Sequence, residues 1–453
     1  MHRLNLVETV IMLETVVQWL VLATATGMIV GSGTSLFLHG LFRSMAATSG
    51  ITLWQQMAIL PVAGLLNGLL LHYGYRVGPR GRDDNFFAAV NIQRGRMPAL
   101  TLPIKPVAAI ITLAGGGSAG KEGPCSHIGA SLGALVGRVL HLNDELRVRL
   151  VACGVSAGFA SVFGTPVAGA IYGVELLAIG RIRHDFLLPA VIAGVVSYQT
   201  SLFWGIPYEY YTLPGGTGFG AALFLKLAVL GVLAGLAALV FVEAVHGAGR
   251  VTATVRRRCG LWPPLMPLFG GLLIAALILV IPRDYLGLGL PLIDRALAGE
   301  TMPAAGFLLK ILLVAITIGS GFYGGIVTPQ FVIGAMLGAG VGSVLGVDPA
   351  LGAAVGLTAV VAAASNTPVA ATLMGVELFG TSVSLAYVAA PAVIAYLVIG
   401  HRSIYPRQRM AYAKSSWMRI RPESAVDTEK ARLSRGLLRM TYALRRRIGR
   451  RRR

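Results

Sequence analysis

A thirteen-residue segment of this chain occurs twice. Gly164-Thr165-Pro166-Val167-Ala168-Gly169-Ala170-Ile171-Tyr172-Gly173-Val174-Glu175-Leu176 returns 202 residues later as Asn366-Thr367-Pro368-Val369-Ala370-Ala371-Thr372-Leu373-Met374-Gly375-Val376-Glu377-Leu378. Upstream, Ile128-Gly129-Ala130-Ser131-Leu132-Gly133-Ala134 returns 205 residues later as Ile333-Gly334-Ala335-Met336-Leu337-Gly338-Ala339. Such a chain folds as two like units. Of its 453 residues 55% are hydrophobic and only 13% charged, too few charges to solvate a protein of this size, so both units lie in a membrane. Duplicated apolar units with Gly/Pro-interrupted helices in matching places predict a transporter whose site lies near the midplane, between the repeats. The segments alone fit parallel and inverted halves equally.

Spanning the hydrocarbon takes about 20 apolar residues. Trp19–Leu41, Phe186–Phe203, Ala221–Val245, Pro264–Ile281 and Tyr387–Gly400 are candidate spans. Pro103, Pro124, Pro166, Pro329 and Pro368 break the apolar runs, so short, interrupted helices are expected, and 58 glycines suit their close packing. Non-helical backbone at that depth is tolerated only where it is buried or lines a cavity. The first apolar run is too long for a signal-peptide core and has no small-residue cleavage site. Residues 206–219, rich in Gly, Pro and Tyr, read as the link between the halves.

The net charge is +20, and residues 401–453 hold 17 Arg and Lys against three acids. On a membrane protein this favours a cytoplasmic tail lying against anionic lipid over nucleic-acid binding. The Arg-rich loop from Arg76 to Arg96 has the same bias. An integral protein of a bacterial inner membrane with both termini cytoplasmic is expected. Beyond about residue 405 the chain reads as an amphipathic or disordered tail. Cys125, Cys153 and Cys259 form no CxxC pair and read as packing residues. The eight histidines are scattered without an HExxH motif, so neither metal nor organic cofactor is expected.

Gly120-Lys121-Glu122-Gly123-Pro124 places two ionisable residues inside apolar sequence, with Ile110 to Gly120 before and Ile128 to Leu140 after. Charges in a membrane are functional candidates by default. Flanking glycines let backbone N–H groups approach a ligand, and a helix start adds its dipole, so the pattern suits an anion beside a gating carboxylate. Gly115-Gly116-Gly117-Ser118-Ala119-Gly120-Lys121 matches a P-loop by letter, but Glu122 stands where Ser or Thr is needed and would repel phosphates. Ser126-His127 is the sole hint of an enzyme, and neighbours on a helix point to different faces. No enzymatic activity is expected. The repetition of Glu175 and Glu377 suggests a structural task such as holding a helix end.

Gly117-Ser118-Ala119-Gly120-Lys121-Glu122-Gly123-Pro124 resembles the Gly-(Lys/Arg)-Glu-Gly-Pro segment of the CLC chloride channels and transporters. Gly325-Ile326-Val327-Thr328-Pro329 resembles that family's Gly-x-Phe-x-Pro segment, and Tyr405 falls where the family has a pore-closing tyrosine. The likeness runs from about residue 20 to 406. It implies an all-α polytopic membrane protein of two inverted-topology helical repeats with interrupted, tilted helices, assembled as a homodimer with one pore per subunit. Residues 1–400 would be the transport domain, with halves at about 18–205 and 220–400, and 401–453 a basic cytoplasmic tail. By resemblance, Glu122 is the gating glutamate. Lys121, Gly123, Ile326, Val327 and Tyr405 line the anion's path; Gly81 and Arg82 are candidates for its inner mouth, the alternative being a solvated cytoplasmic loop.

Three departures qualify the likeness. The family's Gly-Ser-Gly-Ile-Pro segment should lie about 40 residues before Glu122, where Gly78-Pro79-Arg80-Gly81-Arg82-Asp83-Asp84 stands. Gly31-Ser32-Gly33 lies about 90 residues upstream, inside the first apolar run, and does not substitute. Val327 replaces the phenylalanine. Leu176 takes the place of the exchangers' internal proton glutamate, as in the family's passive channels, which leaves the adjacent Glu175 as candidate for a proton path. Ser156 to Pro166, Gly117 to Gly120 and Val327-Thr328-Pro329 also resemble the fluoride-exporting branch, although that branch's second glutamate is here Ile326. Chloride is the expected ion, in channel-like or proton-coupled transport, and fluoride export with protons the alternative.

Overall fold

The computed structural model describes residues 2–74, 85–213, 220–380 and 383–434, the side chains of 2–6 excepted. The first half contains α1 (His2–Thr48), α2 (Leu53–Gly74), α3 (Phe86–Asn91), α4 (Ile104–Ala114), α5 (Glu122–Val139), α6 (Asp144–Phe163), α7 (Pro166–Glu175) and α8 (His184–Phe203). The second contains α9 (Ala221–Cys259), α10 (Leu265–Leu277), α11 (Leu290–Leu297), α12 (Gly306–Ser320), α13 (Val327–Val344), α14 (Pro349–Ala364), α15 (Pro368–Phe379) and α16 (Leu385–Val398). The fold is all-α with two inverted-topology halves.

The halves break their helices with the same devices. Asn143 caps α6 by accepting from Leu146 N–H, and Asp348 caps α14 by accepting from Leu351 N–H. After α6 the chain turns at Gly164 (φ +72°), and after α14 at Asn366 (φ +58°). Glycine adopts that conformation freely, and asparagine tolerates it better than most residues. Pro166 and Pro368 then start α7 and α15, where a missing N–H costs nothing. The small residues of the other repeated segment serve packing: a Cβ on Gly129 would strike the Gly154 carbonyl, and one on Gly334 the Gly356 carbonyl. Thus α5 crosses α6, and α13 crosses α14, at backbone contact.

Two helices are longer than their apolar runs. The 47 residues of α1 and 39 of α9 extend roughly 70 and 58 Å at 1.5 Å per residue, well past the hydrocarbon. Hydropathy marks only the apolar stretch; α9 continues through Arg256-Arg257-Arg258 until Gly260 caps it at φ +60°.

Lys310 of α12 is completely buried. Its ammonium donates to the carbonyls of Tyr285 and Gly287, both at 3.0 Å. Ser118 Oγ also donates to the Tyr285 carbonyl, so removing Lys310 would strip a described donor chiefly from Gly287. Lys310→Met, which keeps the volume, is expected to cost about 1–3 kcal/mol, the usual range for one orphaned buried acceptor. A lower thermal midpoint of the purified protein is the check; an unchanged midpoint would deny the lysine this role.

The described tail, to Ser434, folds back on the body instead of forming an amphipathic or disordered extension. Strand β1 (Ala178–Ile179), just after α7, pairs in parallel with β2 (Arg409–Met410), which pairs antiparallel with β4 (Ser424–Ala425). A second short ladder joins β3 (Met418–Arg419) to β5 (Arg432–Leu433). Polar residues do the anchoring, which hydropathy does not register. Buried Gln408 donates to the carbonyls of Leu176 (2.9 Å) and Ser365 (3.0 Å) and accepts from Ser403 Oγ. Lys414 donates to Asn366 Oδ1 and the Tyr396 carbonyl at 2.6 Å each, and burial lowers its pKa to about 6.

Candidate functional site

The two halves meet where α5 and α13 begin. Gly120 and Gly325 form an antiparallel bridge, each N–H donating to the other's carbonyl at 2.7 Å. Glu122, the first residue of α5, is buried at 1% exposure. Its carboxylate crosses to the opposite half, accepting hydrogen bonds from Val327 N–H and, at 2.7 Å, from Thr328 Oγ1. A helix start leaves N–H groups unpaired and carries partial positive charge. Glu122 therefore occupies the position at α13 that suits an anion. Glycine is needed around it, because a Cβ on Gly120 or Gly325 would strike the carboxylate, and one on Gly123 would come within 3.0 Å of the Gly325 Cα.

A cleft of about 330 Å³ reaches Thr328 from the side of the inter-half link. Lys121, Tyr208, Glu209, Tyr211 and Phe163 line it, and the Lys121 ammonium sits 5.2 Å from the Phe42 ring centre. A cation at this position attracts anions toward Thr328, while Glu209 offsets part of that field.

Tyr405 comes near the same place from the tail. Its hydroxyl lies 3.3 Å from that of Tyr172, which donates to Ser365 Oγ at 2.8 Å; Ser365 in turn donates to Gln330 Oε1 at 2.9 Å. Tyr405, Val327 and Phe87 share one packed cluster, and Tyr405 and Ile326 another. Phe159 lies 4.6 Å from the Tyr172 ring, Phe163 lies 5.4 Å from Phe331, and Phe87 lies 5.7 Å from Tyr405. Aromatic edges carry positive potential, so these rings can face an anion without a formal charge.

The geometry thus gathers Glu122, Gly123, Ile326, Val327 and Tyr405, with Lys121 in the adjoining cleft. Gly81 and Arg82 lie outside the described residues. Glu175 points elsewhere. Its oxygens accept from Val369 N–H (3.1 Å) and Ala370 N–H (2.7 Å), capping α15. Glu377 accepts from Val167 N–H (3.0 Å) and Ala168 N–H (2.8 Å), capping α7 in return. Leu176 is buried. Ser126 donates to the Gly123 carbonyl, whereas His127 faces that of Thr101 at 3.4 Å.

Sequence reasoning missed Thr328, Tyr172 and Ser365 as site residues. Thr328 lies within the Gly325–Pro329 segment, and its hydroxyl was a readable signal. Tyr172 was marked by the repeat itself, because the matching position is Met374. Ser365 carried no local signal.

Residues 63–400 match the family model described as voltage gated chloride channel. A chloride/fluoride channel protein of Pseudomonas syringae is 35% identical over 428 residues, covering 91% of each chain. The crystal structure of a CLC-type fluoride/proton antiporter superposes with a TM-score of 0.80 at 30% identity, covering 87% of this chain and 98% of that one. A slow cyanobacterial Cl-/H+ antiporter shares the fold with a TM-score of 0.70 at 20% identity, covering 84% and 94%. Matching most of the chain, with Glu122 across the junction of two inverted halves, these likenesses establish that the protein is an anion transporter of the CLC family.

Proposed function

We propose that the chain carries a halide, with chloride as the principal ion, along a path on which the Glu122 carboxylate competes with the anion for the start of α13. The supporting observation is the seat of that carboxylate on Val327 N–H and Thr328 Oγ1. Protonation removes its charge and weakens its hold there, so anion and proton contend for one place. Lys121 draws anions into the cleft, Gly123, Ile326 and Val327 form the backbone of the site, and Tyr405 closes its other side. Gly81 and Arg82 are assigned to the inner mouth by sequence. Using Glu175 as a proton carrier would require it to release Val369 and Ala370.

Residues 1–400 serve as the transport unit in this reading, and 401–453 as the tail. Each protomer of a homodimer holds its own pore in a bacterial inner membrane, with both termini cytoplasmic. The tail's Arg402 and α9's own Arg250 both pair with Glu243 of α9, and α9 ends in Arg256-Arg257-Arg258; basic segments on one side suit that orientation.

Fluoride is the second reading, favoured by the likeness to the chloride/fluoride channel protein of Pseudomonas syringae and to the fluoride/proton antiporter at 30% identity. Liposomes loaded with chloride or fluoride, read by ion-selective and pH electrodes, separate the two. Chloride efflux at least about tenfold above empty vesicles is expected. Fluoride efflux without chloride efflux, with protons moving inward, would replace the principal ion; no flux of either would sink halide transport.

A further inference from the structure

We infer that a crevice among α2, α9, α10 and α12 seats the phosphate headgroup of an anionic phospholipid. The crevice encloses about 360 Å³ and is distinct from the cleft beside Thr328. Arg256 lines it with His72 and Ser320, beside the apolar Leu71, Met266 and Pro267. A charged donor next to apolar surface is what an ester phosphate followed by acyl chain requires. Gly68 and Gly319 bring neighbouring elements together at its floor, against Pro264 and Ala248.

Three observations favour lipid over a soluble anion. First, the surrounding helices turn Leu66, Phe269 and Leu273 outward, each about half exposed, so the crevice opens from an apolar surface. Second, Tyr73 and Trp262 lie beside it, 6.4 Å apart and 49% and 40% exposed; such rings mark the headgroup level of a bilayer. Third, Arg256, Arg257 and Arg258 in the last turn of α9 make no ion pair among the described residues. A fork of guanidinium donors with apolar surface beneath matches a lipid phosphate in charge and shape. The cleft beside Thr328, by contrast, holds Glu209 opposite Lys121.

The test is native mass spectrometry of the full chain released from detergent with added phosphatidylglycerol or phosphatidylcholine. Arg256→Gln should reduce retained phosphatidylglycerol about tenfold, the usual consequence of losing one charge-assisted hydrogen bond. Ala253→Phe, which fills the crevice and keeps the arginine, should do the same. Arg432→Gln, on exposed β5, should leave retention unchanged. Retention surviving either crevice variant overturns the proposal, as does an equal loss in Arg432→Gln. Inorganic phosphate displacing the lipid completely at millimolar concentration would show a site for free phosphate and would also overturn it. Equal retention of phosphatidylcholine would deny the headgroup's role.

Discussion

Glu122→Gln is expected to abolish any proton movement linked to anion flux and to make that flux insensitive to pH. In the unaltered chain acid should speed anion movement. Both effects depend on which group occupies the start of α13. With a carboxylate there, Val327 N–H and Thr328 Oγ1 are held by a tethered negative charge, and a mobile anion must displace it. A carboxamide keeps the size but not the charge, and hydrogen bonds to ionised groups are roughly twice as strong as neutral ones. Glutamine therefore fixes the site in its protonated-like condition at every pH. Flux traces at stepped pH, with simultaneous pH recording outside the vesicles, read both effects. A variant whose pH response matches the unaltered chain would mean that another group gates the path.

The second large effect concerns stability. Glu175→Ala should unfold the purified protein at a markedly lower temperature, losing about 2–4 kcal/mol, because two backbone N–H groups are left without their partner. Glu175 is 6% exposed, so water cannot readily replace the carboxylate. Glu377→Ala removes the reciprocal cap but lies in a half-exposed position and should cost less. Glutamine at 175 retains one acceptor oxygen and should fall between alanine and the unaltered chain. Thermal midpoints followed by tryptophan fluorescence, with monodispersity checked on a sizing column, give the order. If Glu377→Ala proved the more damaging, burial would not be what sets the penalty.

Much of this architecture was legible because the repeat is local in sequence. Pro166 and Pro368, Gly164 and Asn366, and the small residues of α5 and α13 each announce a break or a close crossing wherever they occur. Glu122 was legible because a charge in apolar sequence needs a reason. Its partner was not: nothing near residue 122 says that the carboxylate binds residues 205 and 206 positions away. The exchange between Glu175 and Glu377 was half legible. Repetition pointed to helix ends, but which ends depends on how the halves are turned toward each other. The Ser365–Tyr172–Tyr405 chain was invisible for the same reason, being assembled from three distant segments. The tail misled because its anchors, Gln408 and Lys414, are polar residues that hydropathy assigns to water.

The exchange of glutamates between the halves also bears on how the protein is made. When the ribosome finishes the first half, α7 has its full length, but Glu377, which closes its start, lies 210 residues further along the message. Glu122 is likewise synthesised long before Val327 and Thr328 exist to receive it. The first half must therefore wait in the membrane with a charged carboxylate and bare helix ends, shielded by water, lipid headgroups or the insertion machinery. Release becomes favourable once α13 and α15 arrive, so a truncated chain should be recognised by the cell as unfinished.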